Sequence, residues 1–177
     1  MILDGATSVL ALIDLQERLM PAIAGAGDVV ANARRLALAA DLLGVPAIVT
    51  EQNPKGLGRT TPHIPVAGLP LVEKTSFDSC GAPAFLAALP AAGSTIVLAG
   101  CEAHVCVLQT ALGLVARGRR VALVADAIGS RREENRMAAL SRAAAAGVEI
   151  VSTEMVLFEW LGSSDHPRFR AVLDLVR

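Results

Sequence analysis

Six short apolar segments recur along the chain, and longer segments of helical character separate them. The apolar segments cover residues 9–13, 47–50, 71–73, 95–99, 121–125 and 149–152. Runs of this length between polar or turn residues are typical of buried strands. Strands joined through helices need right-handed crossover connections, which place helices on both faces of a parallel sheet. The sequence therefore predicts an α/β fold: a Rossmann-like three-layer α/β/α sandwich with a mostly parallel sheet, formed by residues 1–177 as a single domain.

Several element boundaries follow from local signals. Asp28 is a suitable N-cap for the first helix, and Gly44 would end that helix. Pro83 can open a short helix. Ser130 is followed three residues later by a glutamate, which fits a capping box at the start of another helix. Residues 52–70 are rich in Pro and Gly and are predicted to form a long loop, of the kind that is usually functional or disordered.

Composition and charge exclude several classes of protein. Hydrophobic residues make up 53% and aromatic residues 3% of the 177 residues, so the core must be built from Ala, Leu and Val. The net charge of -1 gives no basic face, which argues against nucleic acid or an anionic membrane as a partner. No apolar run approaches the ~20 residues that span a bilayer, and the start of the chain lacks a signal-peptide pattern. The three cysteines show no zinc-type spacing, so free thiols in the cytoplasm are expected.

Cys106 is the strongest candidate for a reactive side chain. It lies where a helix is predicted to begin, directly after the strand at residues 95–99. The positive end of the helix dipole favours the thiolate, which is the nucleophilic form. We therefore expect the pKa of this thiol to be depressed. The alternative is a buried structural cysteine, which is a common role for this residue.

Two charged residues are predicted to lie near that thiol. Asp14 comes directly after the first strand and Lys74 directly after the third. Ligands in parallel sheets bind beyond the carboxyl ends of the strands, so both side chains should meet Cys106 at one edge. The lysine would hold a thiolate by charge, and the aspartate would move the proton between thiol, leaving amine and water. Taken singly, Asp14 is also consistent with a turn cap and Lys74 with a solvated loop charge.

Four segments of the chain, in this order, resemble motifs of one enzyme family. They are Ala-Leu-Ile-Asp-Leu-Gln at 11–16, Val-Glu-Lys-Thr-Ser-Phe at 72–77, Gly-Cys-Glu-Ala-His-Val-Cys-Val at 100–107 with Thr-Ala at 110–111, and Val-Ala-Asp-Ala at 124–127. The ordered set resembles the isochorismatase-like cysteine hydrolases, which include nicotinamidases and N-carbamoylsarcosine amidases. Residues 50–58 are similar to one branch in particular, the isochorismatase domain-containing proteins.

The resemblance implies a catalytic triad and an oxyanion site. The triad would be Asp14, Lys74 and Cys106. A cis peptide bond would join Cys101 to Glu102, and the backbone N–H groups of Glu102 and Cys106 would face an oxyanion. Family members also commonly associate, with active sites near a subunit boundary. Together with the high hydrophobic content, this predicts a homo-oligomer, with the terminal segment that holds Phe158, Trp160 and Phe169 as the candidate contact.

The sequence departs from the family at the place where nicotinamidases carry a metal site. After the second strand it reads Glu-Gln-Asn-Pro at 51–54, with no histidine, and the three histidines are scattered without ligand spacing. We therefore predict no metal and no cofactor, and nicotinamide is a poor candidate for the substrate. Glu102 stands where most amidases have a small residue. It would narrow the pocket, bind a polar group of the substrate or point to solvent.

Three further residues are candidates for the substrate pocket. Gln16 follows the Asp14 motif, Gln52 follows the second strand, and His104 lies beside Cys106. Gln16 is also suited to orienting a neighbouring loop, and His104 to a capping or solvent-facing role.

The leading functional hypothesis is a metal-independent cysteine hydrolase that cleaves an amide-type C–N bond of a small molecule through a thioester. A hydrolase of another bond, such as an ester or an isochorismate-type vinyl ether, is one alternative. A thiol redox or ligand-binding protein with little turnover is another, because fold alone does not fix function.

Overall fold

One six-stranded sheet organises the chain in the computed structural model, which describes residues 2–90 and 93–177. Its strands are β1 (Ser8–Ile13), β2 (Ala47–Gln52), β3 (Leu71–Lys74), β4 (Thr95–Cys101), β5 (Arg120–Gly129) and β6 (Glu149–Val151). The strand order is β3-β2-β1-β4-β5-β6, and every neighbouring pair is parallel. The predicted α/β fold with its parallel sheet is therefore confirmed.

Helices connect the strands. They are α1 (Ala26–Leu43), α2 (Pro54–Leu57), α3 (Pro83–Ala88), α4 (Leu108–Ala116), α5 (Glu133–Ala145), α6 (Thr153–Leu161) and α7 (Phe169–Val176). A π-helix, Ala103–Val107, lies between β4 and α4, and short 3-10 turns cover Gly5–Thr7, Met20–Ala22 and Ser79–Gly81. No described helix is long and apolar enough to cross a membrane.

The two faces of the sheet are covered by different helices. All six residues of β1 are buried, and the five from Val9 to Ile13 alternate between two hydrophobic clusters as the two-residue period of a strand requires. Leu10 and Leu12 belong to the cluster that includes residues of α1, α6 and α7. Val9, Ala11 and Ile13 belong to the cluster that includes residues of α3, α4 and α5. This is the predicted three-layer sandwich.

The strand order reverses direction at β1, which lies between β2 and β4. Ligands of such sheets bind at the carboxyl ends of the strands beside this switch point. At the end of β4, Gly100 has a φ of +136°, and a Cβ there would lie 2.0 Å from the carbonyl oxygen of Ile13. Only glycine allows the two backbones to approach this closely, just before the residues that carry the candidate chemistry.

Two predicted helix starts are wrong. Helix α1 begins at Ala26, and its N-cap is Gly25 in a left-handed conformation, so Asp28 lies inside the first turn. The capping box at Ser130 does not form, because β5 runs on to Gly129 and α5 has Arg132 as its N-cap without a side-chain bond.

Candidate active site

Asp14 follows β1 and is completely buried at the switch point. Its φ of 50° lies in the left-handed region, which costs a non-glycine residue on the order of 1 kcal/mol or more. The register of β1 and β2 pairs Ile13 with Thr50 and so brings Thr50 beside Asp14. The Thr50 hydroxyl donates to Asp14 Oδ1 at 2.6 Å. The carboxylate is thereby fixed in one orientation at the end of the strand.

Lys74 ends β3 and reaches across the carboxyl end of β2 to Asp14. Its Nζ donates to Asp14 Oδ2 at 2.7 Å and to Gln52 Oε1 at 2.9 Å, and both charged side chains are fully buried. Backbone carbonyls after the strand supply two longer contacts, Ser76 O at 3.2 Å and Phe77 O at 3.4 Å. The buried ammonium therefore has an acceptor for each proton, which a charge out of water requires.

Cys106 lies on the π-helix between β4 and α4, rather than on the first turn of a regular α-helix, and is 6% exposed. Burial raises the pKa of its thiol to about 12. The negative charge of Asp14 and a hydrogen-bonding contact with its carboxylate contribute to this rise in pKa, while the charge of Lys74 opposes it. The predicted depressed pKa is wrong, because burial and Asp14 outweigh the lysine. The resting thiol is neutral and lies next to a carboxylate.

The predicted oxyanion segment adopts the backbone geometry that the resemblance implies. The Cys101–Glu102 peptide bond is cis. The Glu102 side chain is buried, and its Oε2 accepts hydrogen bonds from Arg131 N at 3.0 Å and Arg131 Nε at 3.1 Å. Glu102 therefore does not point freely to solvent. Cys101 is a buried thiol whose pKa burial raises to about 12, as at Cys80.

The predicted pocket residue Gln16 holds a loop instead. Gln16 Nε2 donates to the carbonyls of Gln52 at 3.0 Å and Gly58 at 2.7 Å, and its Oε1 accepts from Gln52 N at 2.8 Å. Both amide hydrogens are used and the side chain is fully buried, so the assignment to the substrate pocket is corrected. Gln52 uses its own amide to accept from Lys74 and to donate to Thr75 O at 2.7 Å, which orients the lysine.

His104 links the nucleophile's segment to the chain after β5. Its Nδ1 lies 2.9 Å from Ser130 Oγ, and its Nε2 lies 3.5 Å from Asn135 Nδ2. The Glu102 side chain likewise accepts from Arg131 N, so Ser130 and Arg131, which follow β5 directly, both hold the segment that carries Cys106. Sequence reasoning missed this use of Ser130 and Arg131 and the contact of Thr50. For Thr50, the one signal in the sequence was a threonine at the end of an otherwise apolar strand.

Glu51 fixes the long loop that follows β2. Its Oε1 accepts from Thr60 N at 2.7 Å and from the Thr60 hydroxyl at 2.8 Å, and its Oε2 accepts from Arg59 at 3.0 Å. Burial raises the pKa of this carboxyl, but the hydrogen bonds from Thr60 and Arg59 outweigh burial and bring it below the usual value. Within residues 2–90 and 93–177, no three His, Cys, Asp or Glu side chains form a group that could hold a metal.

Comparison with known proteins places these residues in a family context. Residues 8–155 match the isochorismatase domain. Isochorismatase domain-containing protein 1 of Salmo salar is 43% identical over 97% of this chain, and the match covers 62% of that relative. The chain thus spans about three fifths of the length of that relative. Isochorismatase domain-containing protein 2 of Danio rerio is 41% identical over 96% of this chain and 86% of its own length.

Solved structures show the same fold. The MAR1 ribonuclease of Caenorhabditis elegans superposes with a TM-score of 0.91 at 36% identity, covering 99% of this chain and 92% of that one. YcaC of Pseudomonas aeruginosa, solved with covalent acrylamide, gives 0.90 at 25% identity over 98% and 90%. The YcaC gene product of Escherichia coli, an octameric hydrolase of unknown specificity, gives 0.84 at 24% identity over 97% and 94%.

Proposed function

The chain belongs to the isochorismatase family, whose membership supports a hydrolase, and from that premise we propose that it is a metal-independent cysteine hydrolase acting on an amide-type C–N bond of a small molecule. One observation carries the proposal: the Cys106 thiol contacts the carboxylate of a fully buried ion pair between Asp14 and Lys74. A neutral thiol beside a fixed, ionised carboxylate is an activated nucleophile with its base in place.

The first chemical step is attack by sulfur. As the Cys106 Sγ–carbon bond forms, the thiol proton passes to Asp14 and the carbonyl π electrons move to oxygen. Backbone N–H groups of Glu102 and Cys106 receive that oxyanion, and donors of this kind are typically worth ~2.7–4 kcal/mol each. Lys74 stays protonated throughout and stabilises the negative charge on Asp14 and on the reacting sulfur.

The second step releases the amine and leaves an acyl-enzyme. When the tetrahedral intermediate collapses, its C–N bond breaks and Asp14 returns the proton to the leaving nitrogen. A water molecule then attacks the thioester while Asp14 takes one of its protons. The C–S bond breaks as this intermediate collapses, and Asp14 returns the proton to the Cys106 sulfur, which releases the carboxylic acid and regenerates the free thiol. The raised pKa of Cys106 suits this cycle, because the proton is transferred during attack and not lost beforehand to solvent.

Covalent modification of a structural neighbour suggests a probe for the proposed nucleophile. YcaC of Pseudomonas aeruginosa carries covalent acrylamide in its solved structure. Acrylamide combines a primary carboxamide with an alkene carbon that adds to thiols, so here it probes the nucleophilicity of Cys106 without forming an acyl-enzyme. We expect acrylamide to modify Cys106 at one equivalent per chain.

A panel of small primary amides, ureas and esters, with ammonia or alcohol release as the readout, tests the function. We expect turnover of at least one amide, an acyl adduct on Cys106 by intact mass, and loss of both in Cys106→Ala. Cys80→Ala is the matched control, because it removes another buried thiol away from Asp14. Amide turnover by Cys106→Ala close to wild type would refute the nucleophile. Cleavage of RNA with no amide or ester turnover would replace the proposal with a nuclease activity.

Assembly into a homo-oligomer is part of the proposal. Exposed large apolar side chains include Leu71, Phe77, Met137 and Met155, which a second subunit would cover. Of the three residues in the terminal segment expected from the sequence to form the contact, Trp160 is only 6% exposed and packs in the core, whereas Phe158 is 38% exposed and stays a candidate. Sedimentation at micromolar concentration tests the assembly, and a monomer of 18.3 kDa would contradict it.

A further inference from the structure

The Lys74 ammonium has more acceptors than protons. Its Nζ carries three protons, and the oxygens that accept from it are Asp14 Oδ2 at 2.7 Å, Gln52 Oε1 at 2.9 Å, Ser76 O at 3.2 Å and Phe77 O at 3.4 Å. Only the first of these is charged, and Gln52 supplies the closest neutral one. Because the protein's own oxygens use every proton, Lys74 acts on a reacting group through its charge and not as a hydrogen-bond donor.

The Gln52 side chain is held in the orientation that offers its oxygen to the lysine. Its Nε2 donates to Thr75 O at 2.7 Å, which leaves Oε1 to accept from Lys74. The Gln16 amide fixes the backbone of Gln52 by accepting from its N at 2.8 Å and donating to its O at 3.0 Å. A polar group that is fixed before the reaction needs no rearrangement during it, so Gln52 is a preorganised acceptor for the ammonium.

The place of the negative charge changes during the proposed reaction. In the resting site the charges of Lys74 and Asp14 balance, and the Cys106 thiol is neutral. Once Asp14 has taken the thiol proton, the negative charge lies on the tetrahedral intermediate, and the net charge of the site is still zero. A hydrogen bond to a neutral carboxyl group is weaker than one to a carboxylate. Asp14 therefore holds the ammonium least firmly in the state in which the intermediate depends on that positive charge.

We propose that Gln52 is a positioning residue that keeps the Lys74 ammonium in place and protonated while Asp14 is neutral. The inference rests on the proposed role of Asp14 as proton acceptor and names the residue that supports the lysine in that state. Hydrogen bonds to a charged group favour its charged form, and a buried ammonium that lacks acceptors loses its proton more easily. The carbonyls of Ser76 and Phe77 lie farther from Nζ than Gln52 Oε1 does, so they supplement the amide and do not replace it.

A double-mutant cycle tests this role, because Asp14→Asn reproduces a neutral side chain at position 14. The rate of Cys106 alkylation by iodoacetamide is measured against pH, corrected with Cys106→Ser, in wild type, Gln52→Met, Asp14→Asn and the double variant. With Asp14 ionised, Gln52→Met should change the rate at neutral pH by less than about twofold, because the carboxylate still holds Lys74. In the Asp14→Asn background it should slow alkylation by about fourfold or more. That factor corresponds to moving a unit charge from ~4 Å to ~5 Å from the sulfur at an effective dielectric constant of about 20.

Two further variants separate the effect on Lys74 from a general loss of an amide. Gln109→Met makes the same chemical change at an exposed position on α4 and should leave the alkylation rate unchanged in both backgrounds. Gln52→Asn keeps an amide but withdraws its oxygen from Nζ by about one C–C bond, ~1.5 Å. It should slow alkylation in the Asp14→Asn background as Gln52→Met does, and it takes the place of Gln52→Met if the latter fails to fold.

The outcomes distinguish this inference from the proposed hydrolysis. A loss of alkylation rate that is confined to the Asp14→Asn background supports the role of Gln52. Equal effects in the two backgrounds, or a double variant that reacts as fast as Asp14→Asn, overturn it even if amides are hydrolysed. The cycle needs no substrate, so an absence of amide turnover would refute the hydrolase proposal separately.

Discussion

Asp14→Asn is expected to make Cys106 ionise more easily while abolishing turnover. In the wild type, burial and then Asp14 raise the pKa of the thiol to about 12, and Lys74 lowers it. Asparagine keeps an oxygen for the Thr50 hydroxyl but removes the charge that opposes the thiolate. It also leaves the lysine without its counterion, so the positive charge of Lys74 acts on the sulfur alone.

The size of the effect follows from the charges involved. Two unit charges ~4 Å apart interact by about 4 kcal/mol at an effective dielectric constant of 20, which corresponds to about three pKa units. Greater separation and solvent screening reduce this figure, so a fall of at least about one unit is expected. The thiolate fraction at neutral pH would then rise about tenfold or more.

Two measurements check this prediction. The ultraviolet absorbance of the thiolate is titrated against pH, with Cys106→Ser subtracted, and the rate of Cys106 alkylation by iodoacetamide is followed at neutral pH. We expect the Asp14→Asn thiol to titrate lower and to react faster, although amide hydrolysis is lost with the base. A folded variant whose thiol pKa is unchanged or higher would refute the assigned contact between Asp14 and Cys106.

Three further predictions address the groups around this contact. Lys74→Met should raise the pKa of the Cys106 thiol and slow its alkylation, because the lysine's charge favours the thiolate. An alkylation rate with an unchanged pH profile would place the lysine outside the site. Thr50→Val should cost ~1–3 kcal/mol in urea unfolding and lower kcat, since a buried oxygen of Asp14 loses its donor. Glu51 has a folded pKa below 4.5, so its ionised form contributes stability at higher pH that is lost as pH falls through that folded value. Thermal unfolding of Glu51→Gln should therefore show a smaller loss of stability on acidification than the wild type, and an equal loss would contradict this.

Because the carboxyl ends of parallel strands lie at one edge of the sheet, the sequence correctly predicted that Asp14 and Lys74 lie close together. This prediction depends only on strand order and direction, which the apolar runs already indicate. The direction of the pKa shift at Cys106 could not be predicted in this way. The sequence indicates a helix start, which would lower the pKa, but it does not show how deeply the thiol is buried. Burial and the carboxylate of Asp14 together determine the sign of the shift.

Contacts between segments far apart in the chain could not be predicted from the sequence either. Ser130 and Glu133 have the spacing of a capping box, yet the Ser130 hydroxyl is engaged by His104, which is 26 residues away. Gln16 lies in the same motif as Asp14, the proposed base, yet its amide donates to the Gly58 carbonyl and so holds the loop. In both cases a side chain that suits a local role hydrogen-bonds instead to a residue far away in the sequence. The folded structure is needed to identify that partner.

The lysine of the proposed triad is carried by the edge strand of the sheet. β3 has four residues, lies at the edge of the described sheet beside β2, and buries two of its side chains. Short edge strands detach through local opening that costs less free energy than global unfolding. Warming is therefore expected to disconnect the ammonium from Asp14 while the central strands stay folded. The Lys74 side chain is fully buried while β3 is paired with β2. The rate at which amine-reactive reagents label Lys74 would therefore measure the rate at which β3 opens.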